Sequence, residues 1–483
     1  MAVRLDLDDI QGLFARGYRK HPYARFTVFT IGEPAAGGAL LEWLLPRLTT
    51  AAPFSGDVAV QVAFTASGLR RLGLPERVVA GFAAEFGEGM TGANRSRFLG
   101  DVGKSDPRHW AWGGPDGSPA DGLVLLYAAD PGLLEQRQAE LRRQLAAHGV
   151  SETTELPARE LGDTEPFGFH DGISQPVIAG LPKAASAQRT VSAGEFVLGY
   201  PNARGQLTDR PLLPASEDPG RLLLPDPAGS GLVDFGRNGS YLVLRQLEQD
   251  VEGFWRYLDA ATRRAGGSAD PGDRTALAAK MVGRWPSGAP LVEAPEEDIP
   301  ALGDDNDFGY AGDPLGLACP VGAHIRRANP RDSLPSGPAA SLDTSDLHRL
   351  LRRSRSYGPA GALLPPGGTT PPSPPGDGYP NGTGLYFICL AGNLARQFEF
   401  VQHTWLDNAT FNGLYDDADP LIGSRQPGGT TFTVQARPVR QRHHDLPQFV
   451  RTRGGAYFFL PGVSAVRYLA RLRSSDRRTR TPA

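Results

Sequence analysis

Cysteine is almost missing from this chain of 483 residues: Cys319 and Cys389 are the only two. A disulfide framework and a thiolate zinc cluster are thereby excluded. No run of about 18 apolar residues occurs, so no segment reads as a membrane-spanning helix and no membrane partner is expected. The start, MAVRLDLDDIQG, has no charged region leading into an apolar one, which argues against a secretory signal and predicts a cytoplasmic protein. An excess of positive charge is also lacking. Fifty basic residues face 53 acidic ones, for a net charge of −3, so no global basic field exists to hold a nucleic acid.

The common catalytic signatures are missing too. There is no Walker A loop, no HExxH, no CxxC, no GxSxG elbow, and no strand followed by GxGxxG. Asp304-Asp305-Asn306-Asp307 lacks the glycine and terminal glutamate of a calcium loop and reads as a turn. Nucleotide-binding and hydrolase readings therefore have no support.

What is present can build a core. Hydrophobic residues make up 40% and charged residues 21%, and the length predicts two or three domains or one large elaborated fold. Strand-then-helix units recur. In the first half they cover Arg25–Leu48, Val58–Leu72 and Leu123–Leu145; in the second, Ser240–Ala265, Leu385–Trp405 and Ala456–Leu472. Three units per half predict an internal duplication and an α+β fold of antiparallel sheets with peripheral helices. Ser151–Arg221 and Leu363–Gly384 read as long irregular loops, and Ser474–Ala483 as a basic polar tail.

Three segments stand out: GFHDGISQP (Gly168–Pro176), CPVGAHIRRANPRD (Cys319–Asp332) and HRLLRRSRSYGP (His348–Pro359). Each has a plain structural reading. Asp171-Gly172 is a common turn pair, His324 follows an apolar stretch as a core histidine does, and Arg352 and Arg353 fit the solvated face of a helix. In this order, however, and with DLDDIQG (Asp6–Gly12) before them and GNLARQFEFVQHTW and DPLIG (Asp419–Gly423) after them, the chain resembles the dye-decolorising peroxidase family, in its longer cytoplasmic bacterial branch.

The resemblance implies duplicated ferredoxin-like domains. The first, 1–225, would carry the GxxDG loop; the second, 226–483, would hold most of one haem b per chain. With no CxxCH run, that haem would be non-covalent. It implies a peroxidase that takes hydrogen peroxide and oxidises an aromatic reductant in one-electron steps through a ferryl intermediate. Manganese(II) oxidation and homo-oligomerisation stay open, and a haem carrier or iron-release protein is the alternative.

Such a protein needs an axial ligand, an acid–base group on the open face of the iron, a cation to assist O–O cleavage, and propionate anchors. The resemblance makes His324 the axial ligand. Its second ring nitrogen would be oriented by a carboxylate that lends the ring imidazolate character. Asp419 is preferred for that partner and Glu399 is the rival. Asp171 would be the distal proton shuttle and Arg352 the distal cation, with Arg353 the alternative one position on. The division of labour between Asp171 and Arg352 is open, and Ser354 stands where some relatives carry asparagine. Arg331 would pair with a propionate, aimed by Asn329-Pro330. Leu385 and Phe387, two apart on a strand, would narrow the distal pocket. Trp405, Tyr357 and Tyr386 are candidates for carrying electrons to bulky reductants at the surface. The remaining histidines, His170 and His348 among them, carry no partner pattern.

Overall fold

The computed structural model describes residues 4–117, 119–182, 188–263, 270–359, 382–424 and 430–472. Most of the proline- and glycine-rich loop and the C-terminal tail expected from the sequence lie outside the described residues.

One antiparallel sheet of nine strands organises the chain. The N-terminal half supplies β1 (Tyr23–Ile31), α1 (Pro34–Leu44), β2 (Val58–Phe64), β3 (Gly122–Ala128), α2 (Pro131–Ala147) and β4 (Val150–Pro157). The C-terminal half supplies β5 (Ser240–Gln249), α3 (Val251–Ala261), α4 (Pro271–Val282), α5 (His324–Ala328), β6 (Leu351–Arg352), β7 (Arg355–Tyr357), β8 (Gly384–Ala391), β9 (Val450–Leu460) and α6 (Val463–Arg471). The strand order is β6-β8-β5-β9-β2-β3-β1-β4, with β7 also paired to β8. With the short strands β6 and β7, both paired to β8, counted as one interrupted strand, the order within each half is second, third, first, fourth both times. That repeated order is the physical form of the duplication expected from the sequence, and it makes the fold α+β.

The strands are buried because both sheet faces are covered. Every residue of β3 is buried, and its run GLVLLYA is apolar on both alternating faces. Leu69, Val124 and Phe459 pack on one side, and Phe26, Leu125 and Phe458 on the other. α2 starts at Asp130, whose carboxylate accepts from the Leu133 N–H, with Pro131 at its first position.

The two half-sheets meet through a single residue pair, Phe459 opposite Phe64. The opening DLDDIQG segment reinforces that thin seam. The Gln11 amide donates to the carbonyls of Val62 and Pro461, both at 2.8 Å, and its oxygen accepts from Val62 N–H at 2.9 Å. Asp9 accepts from Ser464 N–H and from the Asn238 side chain, and so grips the start of α6. A Cβ on Gly12 would lie 2.3 Å from the Tyr18 hydroxyl and 2.7 Å from the Thr50 carbonyl, so the backbone approaches too closely for any other residue.

The Arg352 segment differs from expectation. Its leucine and arginine spacing suggests a helix, yet it forms the short strands β6 and β7, paired with β8 (Leu351 with Leu390, Arg352 with Cys389, Arg355 with Tyr386). The free edge of β8 captures the segment, a long-range pairing that local periodicity does not encode.

Candidate active site

A cavity of about 290 Å³, counted as space open to the centre of a water molecule, lies against the C-terminal half-sheet. Arg245, Leu247 and Gln249 of β5, Leu385 and Phe387 of β8, and Val450 and Thr452 of β9 line it from the sheet. The register explains the grouping: Leu247 stands opposite both Leu385 and Thr452. His324, Ile325 and Ala328 of α5 line it from the helical layer. Phe398, Val401 and Leu406, from the π-helical turns Ala395–Glu399 and Val401–Leu406, complete that layer. Asn329 and Ser354 are also on the wall, and the Ser354 hydroxyl accepts from Ile388 N–H at 3.2 Å.

His324 opens α5 with its side chain partly open, on the cavity wall. Its Nδ1 is 2.9 Å from Asp419 Oδ2. Asp419 is fully buried, and its other oxygen accepts from the N–H groups of Leu421 and Ile422 at 2.9 and 3.0 Å. Burial favours the neutral acid, but His324, Arg327 and the Ile422 N–H outweigh it and hold Asp419 below the ordinary carboxylate range. Arg327 ties the same segment down by donating to the carbonyls of Asp417 and Leu406. A carboxylate on Nδ1 places the ring proton there and leaves the Nε2 lone pair free, and among the described residues Nε2 has no hydrogen-bond partner. Glu399 points elsewhere: it accepts from the Tyr457 hydroxyl at 2.7 Å and from Arg95 at 2.6 Å.

Another wall carries Asp171 and Arg352. Arg352 Nη1 lies 3.2 Å from Asp171 Oδ1, and about a third of each side chain is open (32% and 34%), so the pair faces the cavity. The Arg352 backbone N–H donates to the Gln175 side chain, linking β6 to the loop after Asp171. For Asp171, burial favours the neutral form, while Arg352, the Gly172 N–H and His170 together hold its carboxyl below the ordinary value. Arg353 points to the opposite side of the strand and donates to the carbonyls of Leu13 and Phe14. Neighbours on a strand face opposite ways, so only Arg352 reaches the cavity.

Arg331 is not on the cavity wall. Its guanidinium donates to the carbonyls of Asn306 and Phe308 and stacks 3.9 Å from the Phe308 ring centroid. Sequence reasoning missed Arg349 and Arg284, which do line the cavity. Burial, together with Arg331 and Arg352 nearby, pushes both guanidinium pKa values down to about 10. Among the described residues the Arg349 guanidinium has no hydrogen-bonded or ion-paired partner. Arg349 stands three residues before Arg352 in HRLLRRSR, a signal available in the sequence. His170 also lines the cavity, with Nδ1 3.2 Å from the Ser287 carbonyl. Trp405, Tyr357 and Tyr386 are buried at 4%, 1% and 2% exposure, so none can meet a bulky reductant directly.

These features fit a haem. A carboxylate-held imidazole with a free lone pair is the donor set of an axial iron ligand. A crowd of cations beside an apolar cavity, one of them unpaired, suits a dianionic edge such as two propionates.

No protein-family profile matches the chain. Individual proteins do. A dye-decolorizing peroxidase of Exidia glandulosa is 30% identical over 488 residues, covering 96% of this chain and 86% of that protein. A multifunctional dye peroxidase of Amycolatopsis sp. is 33% identical over 383 residues, covering 76% and 74%. Among solved structures, a dye-decolorizing peroxidase in complex with 2,6-dimethoxyphenol superposes with a TM-score of 0.76 at 26% identity, covering 96% of this chain and 100% of that one. A match that runs through both half-sheets, the seam between them and the whole cavity cannot come from one shared motif, and the chain belongs to the dye-decolorizing peroxidase family.

Proposed function

We propose that His324, oriented by Asp419, would hold the haem iron through Nε2, and that Asp171 and Arg352 would act on hydrogen peroxide from another wall of the cavity. The protein is a hydrogen-peroxide-dependent peroxidase that uses one non-covalent haem b and oxidises aromatic compounds and dyes. The observation that carries the reading is the cavity itself, with a carboxylate-held imidazole on one wall and an ion-paired carboxylate and guanidinium on another.

The bound haem supplies the redox centre for one-electron oxidation. The chain supplies the rest. Asp171, held as a carboxylate below the ordinary range, would take a proton from one oxygen of hydrogen peroxide and return it to the other. Arg352 stabilises the negative charge that develops as the O–O bond breaks. Leu385 and Phe387 keep the space narrow enough for peroxide and exclude larger molecules. Asp419 keeps the Nδ1 proton of His324 in place and raises the basicity of the ring.

Arg349 is a further candidate for a propionate partner beside Arg331, because Arg349 lines the cavity while the Arg331 guanidinium donates to the 306–308 loop. Replacing Arg349 with alanine is expected to weaken haem binding about tenfold, the loss of one charge-assisted pair. Titration of apoprotein with hemin, followed at the Soret band, measures it.

Bulky reductants need an exposed aromatic. Tyr415 is 84% exposed and lies four residues before Asp419 in the chain. It replaces the three buried candidates as the entry point for electrons. For manganese(II), no group of three or more His, Cys, Asp or Glu side chains among the described residues could hold an ion. The two half-sheets support duplicated ferredoxin-like domains divided near residues 225 and 226.

The test is rapid mixing of the haem-loaded protein with one equivalent of hydrogen peroxide at mildly acidic pH. A fast Soret decrease, reversed by 2,6-dimethoxyphenol, is expected. A Soret band indifferent to peroxide would instead favour a haem carrier, which has no use for the Asp171–Arg352 pair.

A further inference from the structure

Glu165 is a buried carboxylate on the cavity wall that the mechanism above does not use. It sits at the start of the loop that ends in Asp171. One of its oxygens accepts from the Phe169 N–H at 3.0 Å. The other accepts from the Phe167 N–H at 3.0 Å and from the Gln249 side chain at 2.8 Å. Its backbone closes the same loop, since Glu165 N–H donates to the Phe169 carbonyl and Gly168 N–H donates to the Glu165 carbonyl. Phe167 and Phe169 are core residues packed with Phe254 and Leu421, so the turn carries apolar anchors outside and a carboxylate inside.

We infer that Glu165 is the positioning residue of the distal loop: by holding two backbone N–H groups and the Gln249 amide, its carboxylate sets where Asp171 stands opposite Arg352. The inference rests on the reading of Asp171 as the distal base. Without the carboxylate, two N–H donors and an amide beside an apolar cavity would be left unsatisfied. That state is costly enough for a loop to rearrange. Asp171 lies two residues beyond the last held amide, so it moves with the loop.

Position and charge make opposite predictions for Glu165. The charged groups facing Asp171 are Arg352 from β6, His170 from its own loop, and Glu165 itself. Glu165 is a like charge. If its charge alone mattered, removing it would make Asp171 easier to ionise and shift the acid limb of distal reactivity to lower pH. If it positions Asp171 against Arg352, removing it weakens that pair and shifts the limb to higher pH.

Cyanide is a suitable probe, because hydrogen cyanide must give up a proton to a distal base as it binds ferric haem. The expected result for Glu165→Gln is association at least about tenfold slower than in the parent protein, with the acid limb moved upward. In the haem-free protein, hydrogen exchange at the Phe167 and Phe169 amides should speed up, a readout independent of haem. Association within twofold of the parent, or a limb moved downward, overturns the inference. Should Glu165→Gln load haem poorly, Glu165→Asp tests the same point, since a shorter carboxylate keeps the charge and loses the reach. It should then also slow cyanide binding. Asp171→Asn in parallel separates the two readings. If that variant binds cyanide at the parental rate, the distal base itself is misassigned. If it is slow while Glu165→Gln is normal, only the role of Glu165 fails.

Discussion

Replacing His324 with alanine is expected to leave the protein without stably ligated haem, the largest single effect at this site. Among the described residues the imidazole is the only histidine ring on the helical wall of the cavity, and its Nε2 has no hydrogen-bond partner there. The substitution also removes the partner of Asp419. That carboxylate is fully buried, and the imidazole is one of the groups that hold it ionised, beside two backbone N–H donors and the nearby Arg327 charge. Removing one partner from a buried charge is destabilising, so some loss of thermal stability should accompany the loss of haem. Two measurements separate the effects. Hemin titration should show affinity reduced well beyond the roughly 10–100-fold typical of losing an outer-shell partner. Added imidazole, small enough to enter the space the ring vacated, should restore an axially ligated spectrum. An unchanged axial-histidine spectrum in His324→Ala would remove His324 from the site. Asp419→Asn should give the milder, outer-shell effect, with haem still bound and the iron–histidine vibration shifted.

Much of this arrangement was legible in the residues because it is carried by local signals. Strand-then-helix units show in hydrophobic periodicity, and the two half-sheets follow from them. His324, Asp171 and Arg352 stand in short segments whose order identified the family, and the cavity does bring them together with Asp419, Asn329, Leu385 and Phe387. What failed depended on distant chain. Arg352 was read on a helix because RLLRRSR has helical spacing, but the edge of β8 pulled the segment into strands. Of the neighbours Arg352 and Arg353, only Arg352 lines the cavity, because side chains alternate along extended chain. Arg331 is expected at a propionate for its chemistry, and the structure shows its guanidinium donating to Asn306 and Phe308, more than twenty residues away, contacts that the sequence does not announce. Arg349 escaped notice because an arginine in an arginine-rich run looks solvated until the fold removes its partners. Burial is equally hidden: nothing in the sequence separates Trp405, which is packed inside, from Tyr415, which is not.

The second large effect belongs to the opposite wall. Combining Asp171→Asn with Arg352→Leu should slow the reaction with hydrogen peroxide by at least about a thousandfold while haem stays bound. General acid–base assistance contributes roughly 10²–10⁴ and an electrostatic donor about 10²–10³, and groups acting on one transition state do not add independently. The single variants carry more information because the two side chains share a contact. In the parent protein the guanidinium and the Gly172 N–H hold Asp171 below the ordinary carboxylate range against the pull of burial. With the carboxylate as the proposed active form, peroxide reactivity should be flat through mildly acidic pH and fall only as pH drops through that depressed pKa. Arg352→Leu removes the largest stabilising charge and leaves burial in place, which makes the carboxylate harder to form. The acid limb must then move to higher pH, and the variant should lose more rate at pH 4 than at pH 7 relative to the parent. Asp171→Asn has no carboxylate to titrate, so its residual rate should lose that limb altogether. Stopped-flow rates across this range for both single variants decide the matter. If the Arg352→Leu limb stays where the parent's is, the 3.2 Å contact is not what keeps Asp171 ionised, and the proton shuttle must be sought among the other groups on the cavity wall, His170 first.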